Sequence, residues 1–385
     1  MELTKEIKAF IMAHKNDNVQ SLALKLSKQS ELPRQLILQQ IQGLQIAKKK
    51  LPSWVQEDIL FPAKVALEQC SSEITAQYKS SIYSYTTFAD LSGGFGVDTK
   101  HFADHSEKGV YVESYRELFE LTSYNLSLFH PKKVDYFNET AESFLEKNNA
   151  FFDLIYLDPD RRSDKHTKGV ALADCTPNVI EIKDQLFEFG RVILIKVSPL
   201  IDIKTTIHQL KEVSRVDVIS VNNECKEVLF TLEKETSKSI KIHTINFTKN
   251  ELERFDFDLI SEERSNNTYS LPKRYLFEPN SSILKAGGFK TIGDEFDLYK
   301  IAPNSHLYTS DILLNEFPGR IFEIVSVTSK IKRLPKKANI ISRNHPFTPE
   351  QIKTKGKIKD GGDDYIIASS DLENNPIYII AKRLK

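Results

Sequence analysis

Phe88-Ala-Asp-Leu-Ser-Gly-Gly-Phe-Gly-Val-Asp98 holds three of the 14 glycines in a chain of 385 residues. Glycine turns the backbone sharply and approaches a ligand without a Cβ in the way. The helix start that follows presents free N–H groups. Outward from this turn, β-rich runs alternate with helical stretches: Thr86–Asp90, Gly109–Glu113, Lys133–Phe137, Asp153–Asp158, Arg191–Val197, Val216–Asn222 and Val228–Leu232. Such alternation predicts an α/β fold, a Rossmann-like, doubly wound parallel sheet. No helix fits between the last two runs, so they read as an antiparallel pair closing the sheet edge.

Upstream, the chain reads as helices and implies a small helical domain over residues 1–80. Asp17 is placed to cap a helix carrying Val19, Leu22, Leu24 and Leu26. Arg34–Lys50 repeats apolar residues at helical spacing, with three lysines where the helix dipole favours cations. A third helix is expected over Ala63–Tyr78. The sheet region occupies 81–235, followed by a charged linker over 233–273 in which Ile240–Phe247 has strand character. Beyond it lies an α+β region, divided into 274–320 and 321–385. It holds a capped helix at Ser281–Ala286 and strands at Arg320–Thr328, Asn339–Ser342, Asp364–Ala368 and Pro376–Ala381.

Composition removes several classes. Lys+Arg and Asp+Glu are equal at 53 each, which excludes a polycationic protein but not a local basic patch. Aromatics at 10% and evenly spread apolar residues exclude whole-chain disorder. The longest apolar runs are too short to span a membrane, and the start MELTKEIKAF has no secretory h-region. Cys70, Cys175 and Cys225 are widely spaced, so neither a disulfide framework nor a zinc pair is expected. The expected location is cytoplasmic, with no membrane and no metal. Between Lys330 and Lys359 stand ten Lys/Arg and one acid, Glu350. Apolar residues interleave them, which predicts a folded domain with a basic face.

Three strand ends carry chemistry. A dinucleotide site asks for G-x-G-x-x-G, but Thr99 stands at the third glycine. A methyltransferase asks for an acid at the strand end and a shorter glycine turn, which Asp90 with Gly94 and Gly96 supplies. A tight turn without a ligand is the plainer alternative. Glu113 closes the second strand, where an acid accepts hydrogen bonds from a ribose diol; a helix-capping acid is the alternative. The fourth strand runs into Asp158-Pro159-Asp160-Arg161-Arg162. Its carboxylate faces the ligand crevice of a parallel sheet. Proline leaves nearby carbonyls free to accept from an amine, and the arginines suit phosphate. A dehydrogenase does not need this set; group transfer to an amino group on a phosphate-bearing substrate does.

The chain resembles the bacterial S-adenosylmethionine-dependent class I methyltransferases that carry a THUMP-like C-terminal domain, known from Bacteroidetes. Asp90–Asp98 resembles motif I, Glu113 the ribose acid, and Leu157-Asp-Pro-Asp-Arg-Arg162 motif IV. Leu67-Glu-Gln-Cys-Ser-Ser-Glu-Ile-Thr-Ala76 is similar to the family's helix before the fold. Lys196-Val-Ser-Pro199 and Asn223-Glu-Cys-Lys-Glu227 are similar to its late-strand signatures. Tyr275-Leu-Phe-Glu-Pro-Asn280, Leu284-Lys-Ala-Gly287, Phe317-Pro-Gly-Arg320 and Lys357-Ile-Lys-Asp-Gly-Gly362 resemble its ferredoxin-like and THUMP-like pieces.

The resemblance implies S-adenosylmethionine as cofactor and structured rRNA or tRNA as substrate. It places Asp90, Ser92, Gly93, Gly94, Gly96, Asp98, Glu113, Thr140, Ala141 and Asp158 around the cofactor, with the adenine near Asn138–Glu142. Asp158 and the Pro159 carbonyl orient the target amine. Asp160, Arg161, Arg162, Lys196 and Ser198 border the substrate. Arg320, Lys336, Lys337, Arg343, Lys353, Lys355 and Lys357 are the expected RNA contacts. Two positions depart from the pattern: Ser92 replaces a glycine, and Asp160-Arg161 replace the Pro-aromatic pair usual after Pro159. The Gly-Phe-Gly-Val-Asp turn and Tyr-Leu-Asp-Pro strand end also resemble guanine-N2 methyltransferases of ribosomal RNA, which points to guanine N2. A non-catalytic RNA-binding or assembly factor on the same fold is the alternative.

Overall fold

The apolar spacing of Arg34–Lys50 becomes a single helix over those residues, burying Ile37, Ile41 and Leu44. The computed structural model describes residues 3–27, 33–161, 172–235 and 239–385. Residues 1–212 with 231–234 form one compact unit, and 213–230 with 235–385 form another.

The first unit opens with helices α1 (Lys5–His14), α2 (Val19–Leu26), α3 (Arg34–Lys50), α4 (Lys64–Gln69) and α5 (Glu73–Ser81). Asn18, not Asp17, caps α2, accepting from Ser21 N–H. Asp17 instead pairs with His14 at 2.8 Å. The single helix expected over Ala63–Tyr78 is two, because Ser72 caps a new helix by accepting from Thr75 N–H. Trp54 is fully buried, its ring 4.6 Å from Phe95 and 5.0 Å from Phe129. Asn125 exchanges two hydrogen bonds with the backbone of Leu60, at 2.9 and 2.8 Å. These contacts dock the N-terminal segment on the sheet layer.

Five strands of this unit are parallel: β1 (Thr87–Asp90), β2 (Lys108–Val112), β3 (Val134–Phe137), β4 (Phe152–Leu157) and, after the two-residue strands β5 (Asp160–Arg161) and β6 (Cys175–Thr176), β7 (Gly190–Val197). Their order is β7-β4-β1-β2-β3. Helices α6 (Val97–Asp104), α7 (Arg116–Phe129), α8 (Ala141–Lys147) and α9 (Val179–Phe189) connect them, and α10 (Ile203–Leu210) follows. Reversal of order beside β1 puts the ligand crevice at the C-terminal ends of β1, β2 and β4.

In the second unit β8 (Val213–Val221) turns into β9 (Glu224–Glu233) through Asn222 and Asn223, both at positive φ. Such a two-residue turn is the tight hairpin that asparagine tolerates. β8 is not an edge strand as expected: β10 (Lys241–Phe247) pairs parallel to it and β11 (Leu252–Asp258) antiparallel to β10. The charged stretch read as a linker therefore holds two paired strands and a short helix. Its alternation was masked by charges on the exposed side, while Phe255 and Phe257 point inward. Helix α11 (Leu259–Arg264) follows it.

A seven-stranded sheet completes this unit: β12 (Tyr275–Pro279), β13 (Tyr299–Lys300), β14 (Tyr308–Ser310), β15 (Gly319–Thr328), β16 (Asn339–Ser342), β17 (Asp364–Ser370) and β18 (Pro376–Arg383), in the order β13-β14-β12-β15-β18-β17-β16. Residues 275–318 and 319–383 thus share one sheet, joined by β12 against β15. Gly319 permits that close pairing, since a Cβ there would lie 2.2 Å from the Glu278 carbonyl oxygen. Helices α12 (Ser281–Ala286), α13 (Thr291–Glu295) and α14 (Pro349–Gly356) accompany it. No helix among the described residues is long and apolar enough to cross a membrane.

Candidate active site

Ser92, Gly94, Glu113, Thr140, Ala141, Asp158 and Asp160 line one cleft of about 430 Å³ in the first unit. Chain extensions of the parallel ladder build it. Gly93 N–H donates to Val112 O, Leu91 N–H to Tyr156 O, and Glu113 N–H to Phe137 O. Gly94 and Gly96 sit at φ +52° and +74°, where a side chain would be strained. Gly93 has a different reason: a Cβ would lie 2.1 Å from the Tyr111 ring. Tyr111 in turn donates to the Gly94 carbonyl at 2.7 Å. The turn is held from behind, and at Gly94 the nearest atom to an added Cβ is 3.8 Å away, leaving open backbone toward the cleft.

Glu113 accepts from Gly94 N–H at 2.9 Å with one oxygen and from Tyr115 N–H at 2.6 Å with the other. Each oxygen keeps a lone pair for a diol. Ser92 Oγ, where the family pattern has glycine, accepts from Asp158 N–H at 2.6 Å and so ties the first loop to the fourth strand end. Thr140 caps α8 by accepting from Ser143 N–H. Asp158 forms an ion pair with Lys196 from β7. Burial raises the Asp158 carboxyl above its ordinary range, and Lys196 opposes that shift. Burial raises Asp160 likewise.

Four of the expected cofactor residues do not line the cleft: Asp90, Gly93, Gly96 and Asp98. Asp90 is buried and accepts from Thr99 Oγ1 at 2.6 Å and Ser92 N–H at 3.1 Å. Thr99, at the missing third glycine, thus serves the loop. Burial pushes the Asp90 carboxyl up to about 7. A carboxyl raised by folding holds its proton more tightly in the folded state. Its stabilising contribution is complete at acid pH and is lost as pH rises through the folded value, at up to ~1.4 kcal/mol per pH unit. Asp90→Asn should therefore gain stability relative to the parent between acid and neutral pH. Urea unfolding at both pH values checks this; an unchanged difference between the two proteins would refute the linkage.

Asp98 lies in a buried network that sequence reasoning did not find. It pairs with Lys79 of α5 at 3.0 Å and accepts from Ser71 Oγ at 2.7 Å and Tyr156 OH at 2.9 Å. Lys79 also donates to Ser71 Oγ at 2.7 Å. Burial raises the Asp98 carboxyl, but Lys79, Lys196 and Ser71 outweigh it and hold the group below its ordinary range. The cleft wall also includes Gln69 and Cys70 from the helical segment, Thr176 at the end of β6 and Pro177 after it. The sequence signal for Gln69 and Cys70 is the Leu67–Ala76 segment in which they lie.

Among the expected substrate residues, Ser198 is exposed and accepts from Leu200 N–H. Neither it nor Pro159 lines the cleft. Arg161 lies in β5, which pairs with β6, and Arg162 lies outside the described residues. The basic residues of the second unit do not form one free array. Arg320 and Arg343 both pair with buried Glu278, and Lys353 pairs with Asp360. Lys336 donates to the Gly356 carbonyl, and Lys355 lies 3.4 Å from the Phe347 ring centre. Lys337 and Lys357 are exposed. No group of three or more His, Cys, Asp or Glu among the described residues is arranged to hold a metal ion.

Residues 275–318 match a ferredoxin-like domain model and residues 319–383 a THUMP domain-like model. No curated protein matches the chain. A solved structure from Porphyromonas gingivalis W83, described as a candidate methyltransferase, is 27% identical, covers 100% of both chains and gives a TM-score of 0.88. A candidate rRNA methylase from Clostridium thermocellum is 15% identical over 42% of this chain and 96% of its own, with a TM-score of 0.32. A candidate RNA methyltransferase from Pyrococcus horikoshii is 17% identical over 56% of this chain and 98% of its own, with a TM-score of 0.30.

Proposed function

We propose that this chain, a class I methyltransferase fold with ferredoxin-like and THUMP-like domains, is an S-adenosylmethionine-dependent methyltransferase. Its substrate is an exocyclic base amine, guanine N2 foremost, of structured rRNA or tRNA. The observation that carries this reading is the convergence of Ser92, Gly94, Glu113 and Asp158 on one cleft at the C-terminal edge of a parallel sheet. The open backbone at Gly94 and the lone pairs left on Glu113 fit the cofactor. Glu113 would hold its ribose, Thr140 and Ala141 would edge its adenine, and Ser92 and Gly94 would border its amino-acid end. When bound, that cofactor supplies an electrophilic methyl group.

The chain's own residues do the rest. An exocyclic amine is a weak nucleophile because its lone pair is delocalised into the ring. The Asp158 carboxylate, which lines the cleft, accepts an N–H hydrogen of the amine. It fixes the amine and returns electron density to nitrogen. Lys196 steadies the carboxylate through its ion pair. Asp160 and Thr176 border the same mouth, and the base enters from a loop or by flipping. The basic face around Lys337 and Lys357 offers phosphate contacts, recognising shape more than sequence.

The test is methylation of RNA from a strain lacking the protein, read by nucleoside mass spectrometry. N2-methylguanosine is expected. A different methylated base would move the target atom, and binding of S-adenosylhomocysteine without any product would favour the assembly-factor role. Glu113→Ala should weaken S-adenosylhomocysteine binding by about 1.5–3 kcal/mol, the range for hydrogen bonds to a charged group. Calorimetry measures it, and unchanged affinity would remove Glu113 from the ribose site.

A further inference from the structure

We propose that a second cleft, lying wholly within the second unit, seats a ribose–phosphate segment of the RNA; this rests on the RNA reading above. The cleft is about 710 Å³ and is formed by the β8–β9 and β10–β11 turns, the start of β15 and the end of β18. Its volume exceeds that of the cleft in the first unit, and the two clefts share no lining residue.

The floor is prebuilt. Asn246, Asn280 and Glu253 are 2%, 2% and 8% exposed. The side-chain amides of Asn246 and Asn280 donate to the same Glu253 oxygen, at 2.8 and 2.9 Å. Lys385 pairs with Glu251 at 2.7 Å and approaches the other Glu253 oxygen at 3.7 Å. A buried polar cluster this well satisfied is rigid. The walls are equally telling. Among the described residues Leu384 is the one aliphatic side chain lining the cleft, and no aromatic lines it. An apolar helix or a lipid finds nothing to grip, and a base finds no stacking surface.

What remains is chemistry for sugar hydroxyls and phosphate. Exposed Asn222 and Asn250 offer both donors and acceptors at the rim. Arg383 is exposed and spends only Nε, donating to the Lys385 carbonyl at 2.8 Å. Among the described residues its terminal nitrogens have no acidic partner. Arg320 lines the same cleft, and its buried Nε has no hydrogen-bond partner among them. Guanidinium donors beside side-chain amides match a phosphate with its adjoining ribose.

The test uses the full chain and anisotropy of a labelled mixed-sequence stem-loop RNA across a salt series. Arg383→Gln should weaken binding at least ~5-fold and reduce the salt slope by about one phosphate contact. Glu251→Gln should act oppositely, tightening binding ~2-fold or more, because it removes an anion from the cleft and the ion pair that competes for Lys385. Unchanged S-adenosylhomocysteine affinity and melting show that both variants are folded. Ribose 5-phosphate is titrated in parallel. If the variants alter its binding but not that of the stem-loop, the cleft holds a free sugar phosphate and the RNA assignment is overturned. If both variants bind the stem-loop like the parent, the cleft proposal fails while the methyltransferase reading stands. A parent that neither binds nor methylates RNA defeats both.

Discussion

Asp158→Asn should lower the single-turnover methylation rate by at least ~10²-fold, the order lost when one preorganised transition-state interaction goes. The substitution keeps shape but turns one acceptor into a donor that faces the amine hydrogens. It also removes the Asp158 charge from its ion pair with Lys196. The Ser92 bond to the Asp158 backbone N–H is untouched, so the loop should keep its course. Cofactor affinity should therefore change little, placing the loss in the chemical step. Near-parental rates for both Asp158→Asn and Asp158→Ala would remove the carboxylate from the reaction and favour the assembly-factor reading.

Lys79→Met should destabilise the first unit by about 3–5 kcal/mol, the cost of stranding a buried charge. Lys79 is 1% exposed, so the lost charge cannot be replaced by water at no cost. Asp98 would retain Ser71 and Tyr156 as donors but lose its cation. Adding Asp98→Asn should recover part of the loss, because the stranded charge is then gone. Urea unfolding followed by circular dichroism measures both. A loss below ~1 kcal/mol for Lys79→Met would mean that the pair contributes no more than an exposed ion pair.

The parallel sheet was legible because short β-rich runs alternate with helical stretches, and β1, β2 and β4 run into Asp90, Glu113 and Asp158. The ferredoxin-like and THUMP-like region came from the family resemblance of the C-terminal segments, and the domain models and the full-length structural match agree with it. β10 and β11 were harder to read. Lys241, Glu253 and Asp256 give the stretch a linker's composition, though Phe255 and Phe257 alternate inward. At the site, Glu113 and Asp158 were readable because strand ends face the crevice. Asp90 and Asp98 were read as ligand contacts because motif position does not say which way a side chain turns. Only the partners decide that, and Thr99, Lys79 and Tyr156 come from other elements. The basic run was visible as charge, but its neutralisation by Asp360 and Glu278 depends on tertiary pairing.

The chain has one tryptophan, and its ring lies against Phe95, a residue of the cleft wall. Ultraviolet emission excited at the indole therefore comes from a single place, one aromatic contact from the cofactor's expected seat. Its buried Nε1 has no hydrogen-bond partner among the described residues, so its emission belongs at the blue end of the indole range. The molecule carries its own optical gauge, which reports at once on whether the helical segment is docked and on whether the neighbouring cleft has changed occupant.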